Sequence, residues 1–177
     1  MKIKYLVIGI LFTLNLYALG IEGQKAPSFG VDTWLQTNGK KDLDIGDYRG
    51  KVLYLYGFQS WCPGCHSHGF PTLQKLAKHY DGDDEVGLVV IQTVFEGFMV
   101  NSELAAKLII KRYSLEMPVG HSGSSDKRSR FMRDYKSGGT PWTVIIDKKG
   151  VVRFNDFHAD ADEIIKFIDL LKNEKKK

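Results

Sequence analysis

The sequence predicts an α/β domain, a mixed β-sheet flanked by helices on both faces. Two observations carry this expectation. Near-continuous apolar runs at 51–58 ("KVLYLYGF") and 86–94 ("VGLVVIQTV") are separated by a stretch with helical spacing. Late in the chain, two more strand-like runs face each other across a glycine turn and precede an amphipathic helix. Strands joined through a helix must cross over and pair in parallel, whereas strands joined by a tight turn pair antiparallel. One sheet therefore holds both pairings.

Each element follows from its residues. "KVLYLYGF" is aliphatic and aromatic, bounded by Gly50 and by a cysteine stretch, and reads as a buried strand. From Cys65 to Tyr80, apolar residues at Phe70, Leu73, Leu76, Ala77 and Tyr80 recur at helical spacing. Pro71 must kink or restart that helix, because it lacks an amide proton. "VGLVVIQTV" is apolar almost throughout, as a strand covered on both faces should be. "NSELAAKLIIKRY" (101–113) reads as a helix with a capping residue at its start, Glu103 early and Lys111-Arg112 late, as the helix dipole favours. "WTVIID" (142–147) and "VVRFNDF" (151–157) flank a turn ending in Gly150 and form a hairpin. Asp160 and Glu163 then supply a capping box for a final helix carrying Ile164, Ile165, Phe167, Ile168 and Leu171.

The first twenty residues, "MKIKYLVIGILFTLNLYALG", stand apart from this pattern. Lys2 and Lys4 precede an apolar run from Tyr5 to Leu19, and Ala18 and Gly20 offer small side chains at a cleavage site. Residues 1–20 therefore read as a secretory signal peptide, and 21–177 as one domain with its core at about 23–170. The alternative is an uncleaved membrane anchor, against which the shortness of the run and Asn15 argue. Dropping Lys2 and Lys4 leaves 23 basic against 21 acidic residues over Ile21–Lys177. A net charge of +2 on 157 residues does not select nucleic acid or an anionic membrane as a partner.

Both cysteines of the chain lie in "WCPGCHSH" (61–68). A bridge between Cys62 and Cys65 would close too small a loop to matter as a staple, about 2 kcal/mol against about 3 for a fifteen-residue loop. Reactivity is the better reason for the spacing. The pair sits where a buried strand ends and a helix begins, with Pro63 in the first turn, where its missing amide costs nothing. Amides and the dipole at such a helix start favour the thiolate of Cys62. Cys65, one turn further on, is placed to resolve a mixed disulfide formed by Cys62.

"GQKAPSF" (23–29), "YRGKVLYLYGFQSWCPGC" (48–65), "GGTPWTVIID" (138–147) and Gly150 resemble the thioredoxin superfamily. More narrowly, they resemble its exported redoxin or TlpA-like branch of thiol–disulfide oxidoreductases, several of which serve cytochrome c maturation. The resemblance implies a thioredoxin-like fold and a redox-active Cys62–Cys65 pair that needs no cofactor. It implies a cis peptide at Thr140-Pro141 beside that pair, with the Thr140 backbone receiving a bound substrate chain as a short added strand. Trp61 and Pro63 would share in binding the partner. The chain departs from the pattern in two places. Tyr56 stands where thioredoxins carry a buried aspartate, and reads as core. His68 stands near the position of a TlpA-like glutamate and is the candidate proton carrier for Cys65. The implied setting is the periplasm, and the implied partners are oxidised proteins and a membrane electron donor that recharges a monomeric enzyme.

Three other readings of the cysteine stretch compete with this one. Cys-x-x-Cys-His matches haem attachment, with His66 as one axial ligand and Met99, Met117 or Met132 as the other, but its strand-to-helix setting suits a preformed α/β fold better. A copper or zinc carrier would use Cys62, Cys65 and a histidine, His66 or His121, and needs a remote ligand to surround the ion. A thiol peroxidase would share the fold, but "LYGFQSWC" lacks the Pro-x-x-x-Thr-x-x-Cys loop of that chemistry.

Overall fold

The computed structural model describes residues 20–41, 43–157 and 159–174. The signal peptide read over 1–20 therefore lies, but for Gly20, outside the described residues, and so do His158 and the last three lysines. Six strands form one sheet: β1 (Thr33–Gln36), β2 (Val52–Phe58), β3 (Val86–Thr93), β4 (Val119–Ser122), β5 (Trp142–Ile146) and β6 (Val152–Phe157). Their order across the sheet is β1-β4-β3-β2-β5-β6. The two apolar runs pair in parallel, Val52 against Val86 through Phe58 against Gln92. The hairpin pairs antiparallel, Trp142 against Phe157, and β5 joins it antiparallel to β2. Its turn closes through the Gly150 amide on the Asp147 carbonyl at 2.8 Å.

The pleat of β2 divides the core. Val52, Tyr54, Tyr56 and Phe58 point to one face, Leu53 and Leu55 to the other. The first face is covered by three helices, α1 (Phe70–His79), α2 (Glu103–Tyr113) and α4 (Ala161–Asn173), through Phe70, Leu73, Ile109, Ile164 and Ile168. The second is covered by a short helix, α3 (Arg130–Asp134), whose Phe131 packs with Tyr135, Phe29 and Ile45. Helices thus occupy both faces, unequally.

One element differs from the sequence reading in detail. The helix that follows the cysteines opens as a π-helical turn, Cys65–Gly69, before becoming α1 at Phe70. There the Phe70 amide donates to the Cys65 carbonyl. A widened turn is one way to seat a proline that cannot continue the ladder, here Pro71. The capping residue expected for α2 is Ser102, whose side chain accepts from the Ala105 amide. Asn101 is 1% exposed and turned toward the cysteine loop. Asp160 caps α4, accepting from the Asp162 amide at 2.8 Å, which gives the cap of the expected box without the return bond from Glu163.

Candidate active site

The end of β2 delivers Gln59, Ser60 and Trp61, and the chain then enters the helix at Cys62-Pro63. Both thiols are unbridged and buried; Cys62 is 6% exposed and Cys65 0%. The Cys65 amide donates to the Cys62 sulfur at 3.2 Å as well as to the Cys62 carbonyl at 3.1 Å, so the first turn of the helix brings an N–H to the sulfur. On its other side the Cys62 thiol donates to the Thr140 carbonyl at 3.6 Å. The Thr140-Pro141 peptide is cis, and Pro141 packs over the helix start so closely that a Cβ on Gly64 would lie 3.3 Å from its Cδ. Residues 78 positions apart thus meet around one sulfur.

The second sulfur sits in a different environment. Burial, reinforced by its hydrogen bond with Cys62, pushes the Cys65 thiol up to about 12, against weaker opposing contributions from the Gln59 backbone and the Tyr56 hydroxyl. That same hydroxyl donates to the Cys65 carbonyl at 3.4 Å. Tyr56 is fully buried, and burial, with the neighbouring Cys65, holds its phenol well above the ordinary tyrosine value.

The histidines take separate places. His66 has both ring nitrogens engaged, one with the Tyr113 hydroxyl at 2.6 Å and one with the Ser60 carbonyl at 2.7 Å. It ties the cysteine loop to the end of α2. His121 on β4 is buried against the Gln92 side chain at 2.7 Å. His68 is exposed on the π turn; after burial, the leading influences on the Cys65 thiol come from Cys62, Gln59 and Tyr56. Among the described residues, no three His, Cys, Asp or Glu side chains converge as a metal site would require.

Sequence reasoning missed a buried polar network beneath the loop. Asn101 accepts from the Ser60 amide at 2.7 Å and donates to the Gln59 side chain at 2.6 Å and to the Glu96 carbonyl at 3.0 Å. Gln59 in turn accepts from the Trp61 indole at 3.2 Å, and Gln92 donates to the Ser60 hydroxyl at 2.5 Å. Asn101 so pins residues 95–100 beside Trp61. The resulting rim is apolar and open, with Trp61 46% exposed, Phe98 42% and Met99 93%. A polar run with no period, "QS" followed 41 residues later by "N", leaves little signal for such a network.

Residues 21–168 match the Redoxin family model. The thiol-disulfide oxidoreductase ResA of a Bacillus cereus strain is 30% identical over 73% of this chain, which spans 66% of that relative. The thioredoxin-like protein YneN of Bacillus subtilis is 30% identical over 78% of this chain and 71% of its own length. Among solved structures, a thiol-disulfide isomerase from Corynebacterium glutamicum superposes with a TM-score of 0.77 at 28% identity, covering 86% of this chain and 98% of the other. Fold, family model and relatives agree: the chain belongs to the redoxin family and is a thioredoxin-like thiol–disulfide oxidoreductase.

Proposed function

We propose that the chain is an exported reductant of protein disulfides, acting through Cys62 and Cys65. The observation that carries this reading is the Cys62 sulfur held between the Cys65 amide at 3.2 Å and the Thr140 carbonyl at 3.6 Å. A substrate chain lying along Thr140, as an added strand, would bring its disulfide to Cys62. The open apolar rim at Trp61, Phe98 and Met99 suits an extended polypeptide better than a small polar ligand. Pro63 closes the helix start beside the reacting sulfur.

The chemistry is a two-electron exchange. Cys62 as thiolate attacks one sulfur of the substrate disulfide, and the other substrate sulfur leaves and takes a proton. Cys65 then loses its proton and attacks Cys62, so that the Cys62–Cys65 bridge forms and the second substrate thiol is released. His68, exposed one turn beyond, is assigned as the group that exchanges the Cys65 proton with water. An unchanged pH–rate profile in His68→Ala removes that assignment.

Export is supported by the segment 1–20, and the compartment proposed is the periplasm. No helix among the described residues is long and apolar enough to cross a membrane. An oxidising compartment consumes dithiols, so an exported reductant needs a membrane electron donor; oxidised proteins, including those of cytochrome c maturation, are its substrates. The test is the equilibrium potential of the Cys62–Cys65 couple against glutathione. A value near −250 mV supports a reductant, and one near −120 mV, in the range of strong oxidants, overturns that direction (both on the order of the known couples of this fold).

A further inference from the structure

Tyr56 is a buried polar group beside the dithiol with no part in the exchange proposed above. Its ring lies in the core between Phe58 and Phe70, at centroid distances of 6.2 and 5.3 Å. Its hydroxyl is carried to the inner side of the π turn. There it donates to the Cys65 carbonyl at 3.4 Å, and its nearness works against burial to lower the Cys65 thiol. The position is built around that oxygen. A Cβ on Gly69 would overlap the Tyr56 hydroxyl outright, and would stand 2.5 and 2.8 Å from Cζ and Cε2. A side-chain-free residue in the first turns of a helix is unfavourable for helix stability, and its effect here is to leave room for a phenol. Packing alone would be served by phenylalanine, which would leave no hydroxyl to bury.

We propose that Tyr56 is the hydrogen-bond donor to the Cys65 sulfur as it ionises, and so sets the rate at which Cys65 releases a partner from Cys62. The role rests on the dithiol reading above. It does not require the tyrosine to lose its proton. Burial holds the phenol in its neutral form, so it acts as a donor and not as a base. The Cys65 proton still passes to water by way of His68, and the two electrons still pass from the dithiol to the substrate disulfide.

The size of the effect follows from thiol chemistry. A hydrogen bond to a charged acceptor, once lost, lowers the Cys65 thiolate fraction about tenfold. The more basic thiolate that remains is more nucleophilic by about threefold, given a Brønsted slope near 0.4–0.5. The net loss in release rate is about threefold at neutral pH.

The test uses the reduced full-length protein and oxidised glutathione, with acid-quenched samples resolved by mass. The appearance of the Cys62–glutathione adduct reports the attack, and its decay reports the release. In Tyr56→Phe the attack is expected to keep the wild-type rate while the release slows about threefold. Gly69→Ala, which displaces the same hydroxyl from the other side, is expected to show the same division. A merely structural role would slow both steps together. Adduct decay at the wild-type rate in Tyr56→Phe overturns the role of the tyrosine and leaves the dithiol reading standing. If the wild-type protein forms no adduct at Cys62, the dithiol reading falls, and this role with it.

Discussion

Gly69→Ala puts two principles in opposition, and the structure decides between them. Helix propensity alone favours alanine over glycine by about 1 kcal/mol. The π turn offers no room for the added carbon, which meets the Tyr56 hydroxyl and stands 2.5 Å from its Cζ. Tyr56 is fully buried between Phe58 and Phe70 and has no open space into which it can swing. Overpacking of this kind costs about 1–3 kcal/mol, and moving the hydroxyl off the Cys65 carbonyl adds about 1 kcal/mol. Set against the propensity gain, Gly69→Ala should destabilise the protein by about 1–3 kcal/mol. Urea unfolding of the reduced protein measures this as a lower midpoint at unchanged slope. In a Tyr56→Phe background the penalty should shrink, because the worst contact is with the oxygen. A variant that gains about 1 kcal/mol, as an open helix position would, refutes the close approach.

Two further outcomes follow from the polar groups around the site. Asn101→Ala strips the Ser60 amide and the Gln59 side chain of a buried partner and should cost about 1–3 kcal/mol; it should also speed proteolytic cleavage within 95–100, and wild-type resistance there would contradict the pinning. Burial, against the opposing charges of Glu103 and Asp32, holds the His121 imidazole below the ordinary histidine value. The folded value lies below the unfolded one, so its contribution is complete above about pH 6.5 and is lost as pH falls from there toward the folded value, with a slope of at most about 1.4 kcal/mol per pH unit. His121→Gln should flatten the stability curve over that window, and an equally steep curve in the variant clears His121 of the effect.

The elements with many apolar residues are legible because period and composition repeat along them. β2 and β3 are such runs, and the hairpin is marked by Gly150. β1 and β4 are not legible. Each is four residues long, too short for a period to be counted. "VGHS" in β4 reads as a loop, since its glycine, histidine and serine suit a strand only once buried partners satisfy them. His121 finds Gln92, and Ser122 donates to the Gly30 carbonyl at 2.6 Å, 92 residues away. Helix α3 escapes notice for a similar reason: five residues carry one buried side chain, Phe131.

The site divides in the same manner. Cys62 and Cys65 are legible from spacing and from their place between strand and helix. The closeness of Thr140 and Pro141 comes from a family resemblance, because nothing local to "GGTP" shows what it packs against. Asn101 and Ser102 both suit a helix cap by residue type; the cap falls to Ser102, and the buried Ser60 amide claims the asparagine. Tyr56 reads as core, and its ring is core. What the periodicity could not show is the path of one oxygen, fixed by a glycine 13 residues later.

The central claim is that Cys62 attacks a partner's disulfide and Cys65 completes the exchange. Cys65→Ser mixed with disulfide-bonded insulin tests it most directly. A covalent adduct through Cys62 is predicted, persisting until a reductant such as dithiothreitol is added, with no adduct from Cys62→Ser. Absence of the adduct from Cys65→Ser, or equal yields from the two variants, contradicts it.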